Sequence, residues 1–251
     1  MCDFSTDSVS CQGFCPRCGT EHSLKAGSAM EACRKLMTEL ERHGRIDWHL
    51  PESEADPRLS TTPLFGQPRG QMFGVMTYED AAGNPGVAKA FSGQFNGVWA
   101  VKGWAPPLVE QEAFDEVSRH IEPEIKRLGR RIQALNGDAT LRAELKRMRR
   151  ELSSQLMREI HELYVLRNFK NESAQLQHVF QGKGIPTGTG DCCAPKLLQL
   201  AAVNGWRPLG IAEFFWGREN RSGTREHARF YPACIEKCRP ILGFMLCGSQ
   251  G

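Results

Sequence analysis

Two cysteine clusters in the last quarter of the chain, each at the start of an apolar helical pattern, constrain the fold more than any other feature. The first cluster is Cys192 and Cys193, and the second is Cys234 and Cys238. Residues 209–216 lie between the two clusters and form an apolar run with the length and composition of a β-strand. The chain order of helix, strand and helix predicts that thiols distant in sequence meet on a platform supported by the strand.

Thiols at helix N-termini are suited to metal binding, because the positive end of the helix dipole favours the thiolate. Zinc binds a small set of such ligands at about 2.3 Å from sulfur. We therefore predict a zinc site formed by Cys192 or Cys193 together with Cys234 and Cys238. A redox role for the adjacent Cys192–Cys193 pair is a weaker alternative, since neighbouring cysteines are poor disulfide partners.

The composition is that of a globular chain. Its 251 residues are 40% hydrophobic and carry a formal net charge of +3, and no apolar run approaches the roughly 20 residues of a membrane span. The first residues lack the basic and apolar regions of a secretory signal, so we expect a cytoplasmic protein without membrane contact. In such a compartment, ten clustered cysteines indicate metal sites rather than disulfides.

A third cysteine cluster lies near the start of the chain. The segment Cys15-Pro-Arg-Cys18-Gly has the form of a zinc knuckle, in which proline and glycine set a tight turn that aims two sulfurs at one ion. Further ligands are expected from Cys11, His22 or Cys33. The alternatives are free thiols and an iron–sulfur triplet, although the chain lacks the repeated strand–helix units expected around the latter.

Residues 28–43 show the apolar spacing of a helix, and residues 69–78 and 87–95 show the pattern of a β-hairpin. From residue 108 onward, apolar residues at heptad spacing predict two long helices separated by Asn136-Gly137-Asp138. We expect three parts: a zinc-knuckle and helix region (1–50), an α/β core (51–107 plus 181–251) and an inserted antiparallel helical hairpin (108–180).

Basic residues gather toward the predicted tip of this hairpin. A run of charge is usually a solvated helix face, but the local excess of positive charge also fits an arm that grips phosphates. The candidate nucleic-acid-binding residues are Arg130, Arg131, Lys146, Arg147, Arg149 and Arg150.

The order of hairpin, cysteine helix, strand and cysteine helix resembles the zinc-dependent cytidine-deaminase-like fold. The resemblance implies a three-layer arrangement of sheet and helices, with a zinc-bound water that attacks a base. The family places a catalytic Glu two residues after the first ligand, where this chain has Ala194 or Pro195. Asp191 or Glu213 is the candidate replacement, but spacing alone does not choose between them.

Six further segments resemble the region that precedes the catalytic domain in long RluA-type pseudouridine synthases. This resemblance implies a connection to RNA modification. The segments are 72–75, 90–93, 104–108, 190–198, 212–217 and 230–234. Pseudouridine synthesis itself needs an Arg-Leu-Asp motif followed by Thr and Gly, and Arg45-Ile-Asp47 is only a chance approximation to it.

Two functions follow from the sequence. The first is a zinc-containing, deaminase-like protein that binds RNA and modifies a base. The second is a non-catalytic RNA-binding or scaffold module that works beside an RNA-modifying enzyme and whose zinc is structural. Three protein ligands with an open fourth position favour the first, and closed four-ligand coordination favours the second.

Overall fold

The computed structural model describes residues 4–135 and 137–249, which form two compact units. The first unit comprises the described parts of Met1–Leu108, Leu166–Ala174 and Val179–Gly251, and the second comprises Val109–Val165 and Gln175–His178. Met1 to Asp3, whose sequence bears on the secretory-signal prediction, and Asn136 in the predicted helix break lie outside the described residues.

The elements confirm a mixed α/β fold with antiparallel sheets. The strands are β1 (Val9–Cys15), β2 (Thr20–Lys25), β3 (Gln71–Glu79), β4 (Pro85–Phe91), β5 (Val165–Arg167), β6 (Ser173–Gln175), β7 (Arg207–Trp216) and β8 (Phe230–Tyr231). The helices are α1 (Ala29–His43), α2 (Gln111–Ala134), α3 (Ala139–Glu162), α4 (Leu176–Val179), α5 (Cys193–Asn204) and α6 (Arg239–Met245). Three short 3-10 turns lie at Glu52–Glu54, Pro57–Leu59 and Thr62–Phe65.

A four-stranded sheet in the order β4-β3-β7-β8 forms the centre of the first unit. Every neighbouring pair in this sheet is antiparallel. In the central pair, Gly74 of β3 lies opposite Glu213 of β7. Because successive side chains of a strand point to opposite faces, this register decides which residues meet the helices on each side.

Helix α1 covers one face of the sheet. Its buried residues join Phe73 and Val75 of β3 and Phe214 of β7 in one apolar core. The thiol of Cys33 lies in this layer and donates to the carbonyl oxygen of Ala212 at 3.3 Å. Helix α1 ends at Gly44, whose φ of 62° is the left-handed conformation that glycine adopts at low cost.

Helix α5 packs on β3, β4 and β7. It lies on the face of the sheet opposite to α1, where the alternate residues of each strand point. Because Gly74 has no side chain, the helix can approach the sheet closely there. A Cβ atom on Gly74 would lie 2.6 Å from the Cβ of Cys193 and 3.3 Å from the Cγ of Glu213. The side chain of Glu213 therefore points to the α5 side of the sheet.

The N-terminal strands β1 and β2 form an antiparallel hairpin that packs against α6. Gly13 and Gly243 lie so close together that a Cβ on either residue would clash with backbone atoms of the other segment. Helix α6 is thus fixed against β1 at its middle. The structure places this hairpin and α1 in the same compact unit as the central sheet.

The second unit is built on α2 and α3, which pack against each other. The guanidinium of Arg142 donates to the carbonyl of Leu135, and Gly129 faces Arg149, so the two helices run antiparallel. Asp138 caps α3 by accepting a 2.9 Å hydrogen bond from the amide of Leu141. Within residues 4–135 and 137–249, no helix combines the length and apolar character needed to cross a membrane.

Candidate metal centres

Three cysteines from two helix starts and the segment between them come together in the first unit. The sulfur atoms of Cys192, Cys234 and Cys238 lie within 4.8 Å of one another, and we call this group the three-cysteine group. Cys192 is the N-cap residue of α5, and Cys238 is the N-cap residue of α6. The predicted meeting of the two cysteine clusters is therefore found in the structure.

Within this group, the Cys234 thiol donates a 3.2 Å hydrogen bond to the Cys238 sulfur. Hydrogen bonding with Cys192 and Cys238 lowers the pKa of Cys234. The pKa values of Cys192 and Cys238 are raised in turn, chiefly because their protons are held in these bonds. A lowered thiol pKa favours the thiolate, which is the form that binds a metal.

Cys193, a predicted metal ligand, does not belong to the group. Its thiol is fully buried against the sheet and donates to the carbonyl oxygens of Met72 at 3.4 Å and Ala90 at 3.7 Å. Burial raises the pKa of this thiol. The adjacent cysteines thus have different environments, because Cys192 caps the helix whereas Cys193 begins the face that packs on β3.

Glu213 lies beside the three-cysteine group although it comes from the middle of β7. It is 4% exposed, and its Oε1 accepts a 3.0 Å hydrogen bond from the backbone amide of Ala194. Burial raises the pKa of the Glu213 carboxyl to about 8. A carboxyl in this state can hold or release a proton near neutral pH.

Glu213, Cys192 and Cys234 line one cavity of about 50 Å³, enough for a few water-sized molecules. The rest of the lining is Met72, Ser92, Arg225 and Pro232. The cavity is small, and it brings two sulfurs of the three-cysteine group and the buried carboxyl of Glu213 to one space.

Asp191, the other candidate carboxylate, has a different position. Its backbone carbonyl accepts a 2.7 Å hydrogen bond from the amide of Gly93, and its side chain is half-buried. Within the described part of the chain, it is not among the residues that line the cavity. Of the two predicted carboxylates, the structure brings only Glu213 to the three-cysteine group.

Arg225 is the residue at this cavity that sequence analysis missed. Its guanidinium lies over the ring of Tyr231, 4.2 Å from the ring centre, and its charge acts to lower the pKa of Glu213. The residue lies in a polar loop without periodicity, so no pattern in the sequence marks it. In the same loop, Nδ1 of His227 accepts a 3.1 Å hydrogen bond from the amide of Gly217.

A second group joins the N-terminal hairpin to the end of the chain. The ligand atoms of Cys15, Cys18, His22 and Cys247 all lie within 4.8 Å of one another, and we call this the four-ligand group. Hydrogen bonds from the side chains of Thr20 and His22 lower the pKa of the Cys18 thiol to about 6. The sequence predicted the first two cysteines and offered His22, but it did not indicate Cys247.

Cys11 and Cys33, the other candidates for this site, lie elsewhere. Cys11 is 2% exposed within β1, opposite Leu24, and burial raises its pKa. Cys33 is held in the α1 layer of the core. Among the described residues, neither belongs to a group of metal-ligating side chains, because both thiols are packed in the apolar core.

The predicted basic residues lie exposed on the helical hairpin of the second unit. They are Arg130 and Arg131 on α2, and Lys146, Arg147, Arg149 and Arg150 on α3. Three of them, Lys146, Arg149 and Arg150, line an open groove of about 400 Å³ together with Ser153. Arg147 instead pairs with Glu151 at 3.3 Å.

Comparison with family models, with curated proteins and with solved structures finds no match to this chain. The two cysteine groups and the basic groove are therefore the features of the chain that bear on its function.

Proposed function

We propose that this protein is a zinc-dependent hydrolase of the deaminase type that acts on a base in RNA. The observation that supports it is the single cavity lined by Cys192, Cys234 and Glu213. Three protein ligands and a neighbouring buried carboxyl are the parts from which zinc hydrolases and base deaminases are built.

The donor set suits zinc. The three sulfur ligands Cys192, Cys234 and Cys238 would hold the ion and leave its fourth position open. When bound there, zinc would supply Lewis-acid chemistry and a water acidified toward neutral pH. The cavity has room for that water.

Glu213 is the group that would move protons. The Ala194 amide fixes one of its carboxyl oxygens, so the carboxyl keeps one orientation toward the cavity. In its ionised form it would take a proton from the attacking water, and in its protonated form it would give that proton to a ring nitrogen. Arg225, on the same cavity wall, stabilises the ionised form.

This arrangement offers an answer to the missing family Glu. Deaminases have that glutamate two positions after the first ligand, and at this position the chain has Ala194. Here the backbone amide of Ala194 holds a carboxyl that comes from the adjacent strand. The same region of the site would then receive its carboxylate from β7 instead of from the helix.

The basic groove on the helical hairpin supports RNA as the substrate class. Lys146, Arg149 and Arg150 present three positive charges on one open surface, and nearby acidic side chains do not pair with them in the described ion pairs. Such a surface binds phosphates without regard to base sequence. The resemblance to the accessory region of pseudouridine synthases points to the same class of polymer.

The catalytic part is tested with Glu213→Gln, which keeps the shape of the side chain and replaces its ionisable carboxyl group by an amide. Zinc-loaded wild type is incubated with total RNA, and released ammonia and base composition are measured. We expect deamination by wild type, and at least a 100-fold loss in Glu213→Gln with zinc retained. The matched control, Glu31→Gln, changes an exposed glutamate on α1 and should behave as wild type.

Two results would overturn the catalytic proposal. One is equal activity of wild type and Glu213→Gln. The other is an absence of deamination of RNA and of free nucleosides by zinc-loaded wild type. The second result, together with intact RNA binding, would favour the non-catalytic module, for which the basic groove alone is sufficient.

The RNA-binding part is tested by changing Lys146, Arg149 and Arg150 together to glutamine. If each contacts one phosphate, the slope of log affinity against log salt concentration should fall by about one for each charge removed. Arg158→Gln, an exposed arginine of the same helix outside the groove, is the control. An unchanged affinity and slope in the triple variant would remove the hairpin from the proposal.

A further inference from the structure

We propose that the four-ligand group, Cys15, Cys18, His22 and Cys247, binds a second zinc ion that closes the end of the chain onto the N-terminal hairpin. Its members come from opposite ends of the sequence, with Cys18 and Cys247 separated by 229 positions. This inference does not depend on the proposed deaminase activity, because a chain without that activity would bind the ion equally well.

Two separations within the group are close to those of a tetrahedral zinc site. Around zinc with bonds of about 2.3 Å to sulfur and 2.0 Å to nitrogen, two sulfurs lie about 3.8 Å apart and a sulfur and a nitrogen about 3.5 Å apart. The sulfurs of Cys18 and Cys247 are 3.7 Å apart, and the Cys18 sulfur lies 3.0 Å from Nε2 of His22. Small movements would thus place all four atoms around one ion.

The local backbone also suits the ion. The turn from Cys15 to Gly19 closes with a 2.9 Å hydrogen bond from the Gly19 amide to the Cys15 carbonyl, and Gly19 has a φ of 71°. This tight turn directs Cys15 and Cys18 to the same side. Cys15 and Cys247 are fully buried, whereas His22 is half-buried at the rim.

Three cysteines and one histidine fill all four positions of a tetrahedral ion, so this site is closed. A closed site gives structural support and leaves no place for a reacting water. It differs in this respect from the three-cysteine group, which has a cavity and Glu213 at its open side.

The position of α6 shows what this support does. Cys238 is its N-cap residue and belongs to the three-cysteine group, and Cys247 lies two residues after its last turn. Between these ends, Gly243 packs against Gly13, and the Arg17 guanidinium lies 5.0 Å from the centre of the Phe244 ring. The second zinc would therefore hold the far end of the helix whose start supplies a ligand to the first.

The test compares bound zinc in the full-length chain by elemental analysis. We expect two zinc ions per chain in wild type and one in Cys247→Ser. Cys192→Ser should also bind one, but at the other site, and the double variant should bind none. Cys11→Ser is the matched control, since Cys11 is a buried thiol of the same hairpin outside the group, and should keep two.

His22→Asn is a second variant for the case that Cys247→Ser does not fold, because His22 is half-buried at the rim of the group whereas Cys247 is fully buried. It should lose one zinc, and its midpoint of thermal unfolding should fall without any change in the zinc held by Cys192. Two zinc ions in Cys247→Ser or His22→Asn would overturn the proposal. So would a wild type whose only zinc is lost in Cys192→Ser.

If Cys247→Ser and His22→Asn each lose one zinc and keep the other while wild type shows no deamination, the second site stands and the proposed function fails. If zinc is absent from the four-ligand group while deamination proceeds through Glu213, the reverse holds.

Discussion

The contact between Gly13 and Gly243 yields the sharpest prediction about the fold, because it fixes α6 against β1. A Cβ atom on Gly13 would lie 2.5 Å from the carbonyl oxygen of Arg239 and closer still to the amide nitrogen of Gly243. Both neighbours are backbone atoms of one helix, so no side-chain rotation can relieve the clash. In Gly13→Ala, α6 must move away from the hairpin by about 1 Å to reach normal contact distance.

The cost can be estimated from known packing energies. Forcing one methyl group into a packed core costs about 1–3 kcal/mol, and contact with backbone atoms favours the upper end. Replacing glycine by alanine also lowers the conformational entropy of the unfolded chain, which stabilises the folded state by about 0.4–1 kcal/mol. We expect a net loss of about 2 kcal/mol in the free energy of unfolding. For a protein of this size that corresponds to a fall of about 4–8 °C in Tm.

Tryptophan fluorescence is the suitable probe, since all five tryptophans lie in the first unit. Thermal unfolding of metal-loaded wild type and Gly13→Ala is followed by this signal. Gly129→Ala adds the same methyl group to α2, where the nearest atom, on the Arg149 guanidinium, is 3.8 Å away. The control should leave the tryptophan transition unchanged. A Gly13→Ala midpoint equal to that of wild type would refute the close approach.

Two other variants test buried polar groups of the first unit. Asp47→Asn breaks the 2.7 Å ion pair with Arg45 and should cost about 2 kcal/mol at pH 7. The Arg45 bond lowers the pKa of folded Asp47, so its contribution is present above the unfolded pKa of about 4 and disappears as pH falls. Urea unfolding at pH 7 and at pH 3 should show a smaller difference between wild type and variant at the lower pH, and a constant difference would contradict this. Lys196→Met should cost about 2–3 kcal/mol, because buried Lys196 donates to the carbonyls of Phe91 and Gly93 at 3.0 and 2.7 Å; equal urea midpoints would rule this out.

Local periodicity predicted the elements well. Residues 28–43 were expected to be helical, and α1 spans Ala29–His43; residues 209–216 were expected to be a strand, and β7 spans Arg207–Trp216. Such segments bury one face or both, so their apolar spacing follows the backbone repeat. The mixed α/β class follows from them, whereas the deaminase-like arrangement and the zinc knuckle stay predictions.

The members of each site depended on contacts that a sequence pattern does not contain. Adjacent cysteines at a helix start could not be separated, because the choice depends on which one caps the helix and which one faces β3. Glu213 could be preferred to Asp191 only once the register of β7 placed it on the α5 side. Cys247 follows a short helix at the far end of the chain, and nothing local marks its approach to the hairpin.

Arg45-Ile-Asp47, the segment that approximates the synthase motif, has a structural role. Asp47 is 1% exposed and accepts hydrogen bonds from Arg45 and from the backbone amide of Asp56. It thereby fastens the segment after α1. The chance match to the synthase motif stays a prediction.

Crystallography of the zinc-loaded protein, with anomalous diffraction measured at the zinc edge, tests the central claim most directly. We predict a zinc peak bonded to the sulfurs of Cys192, Cys234 and Cys238, with a water oxygen in the fourth position within hydrogen-bond distance of the Glu213 carboxyl. A peak with a fourth protein ligand closing the ion, or no peak among these sulfurs, would contradict it.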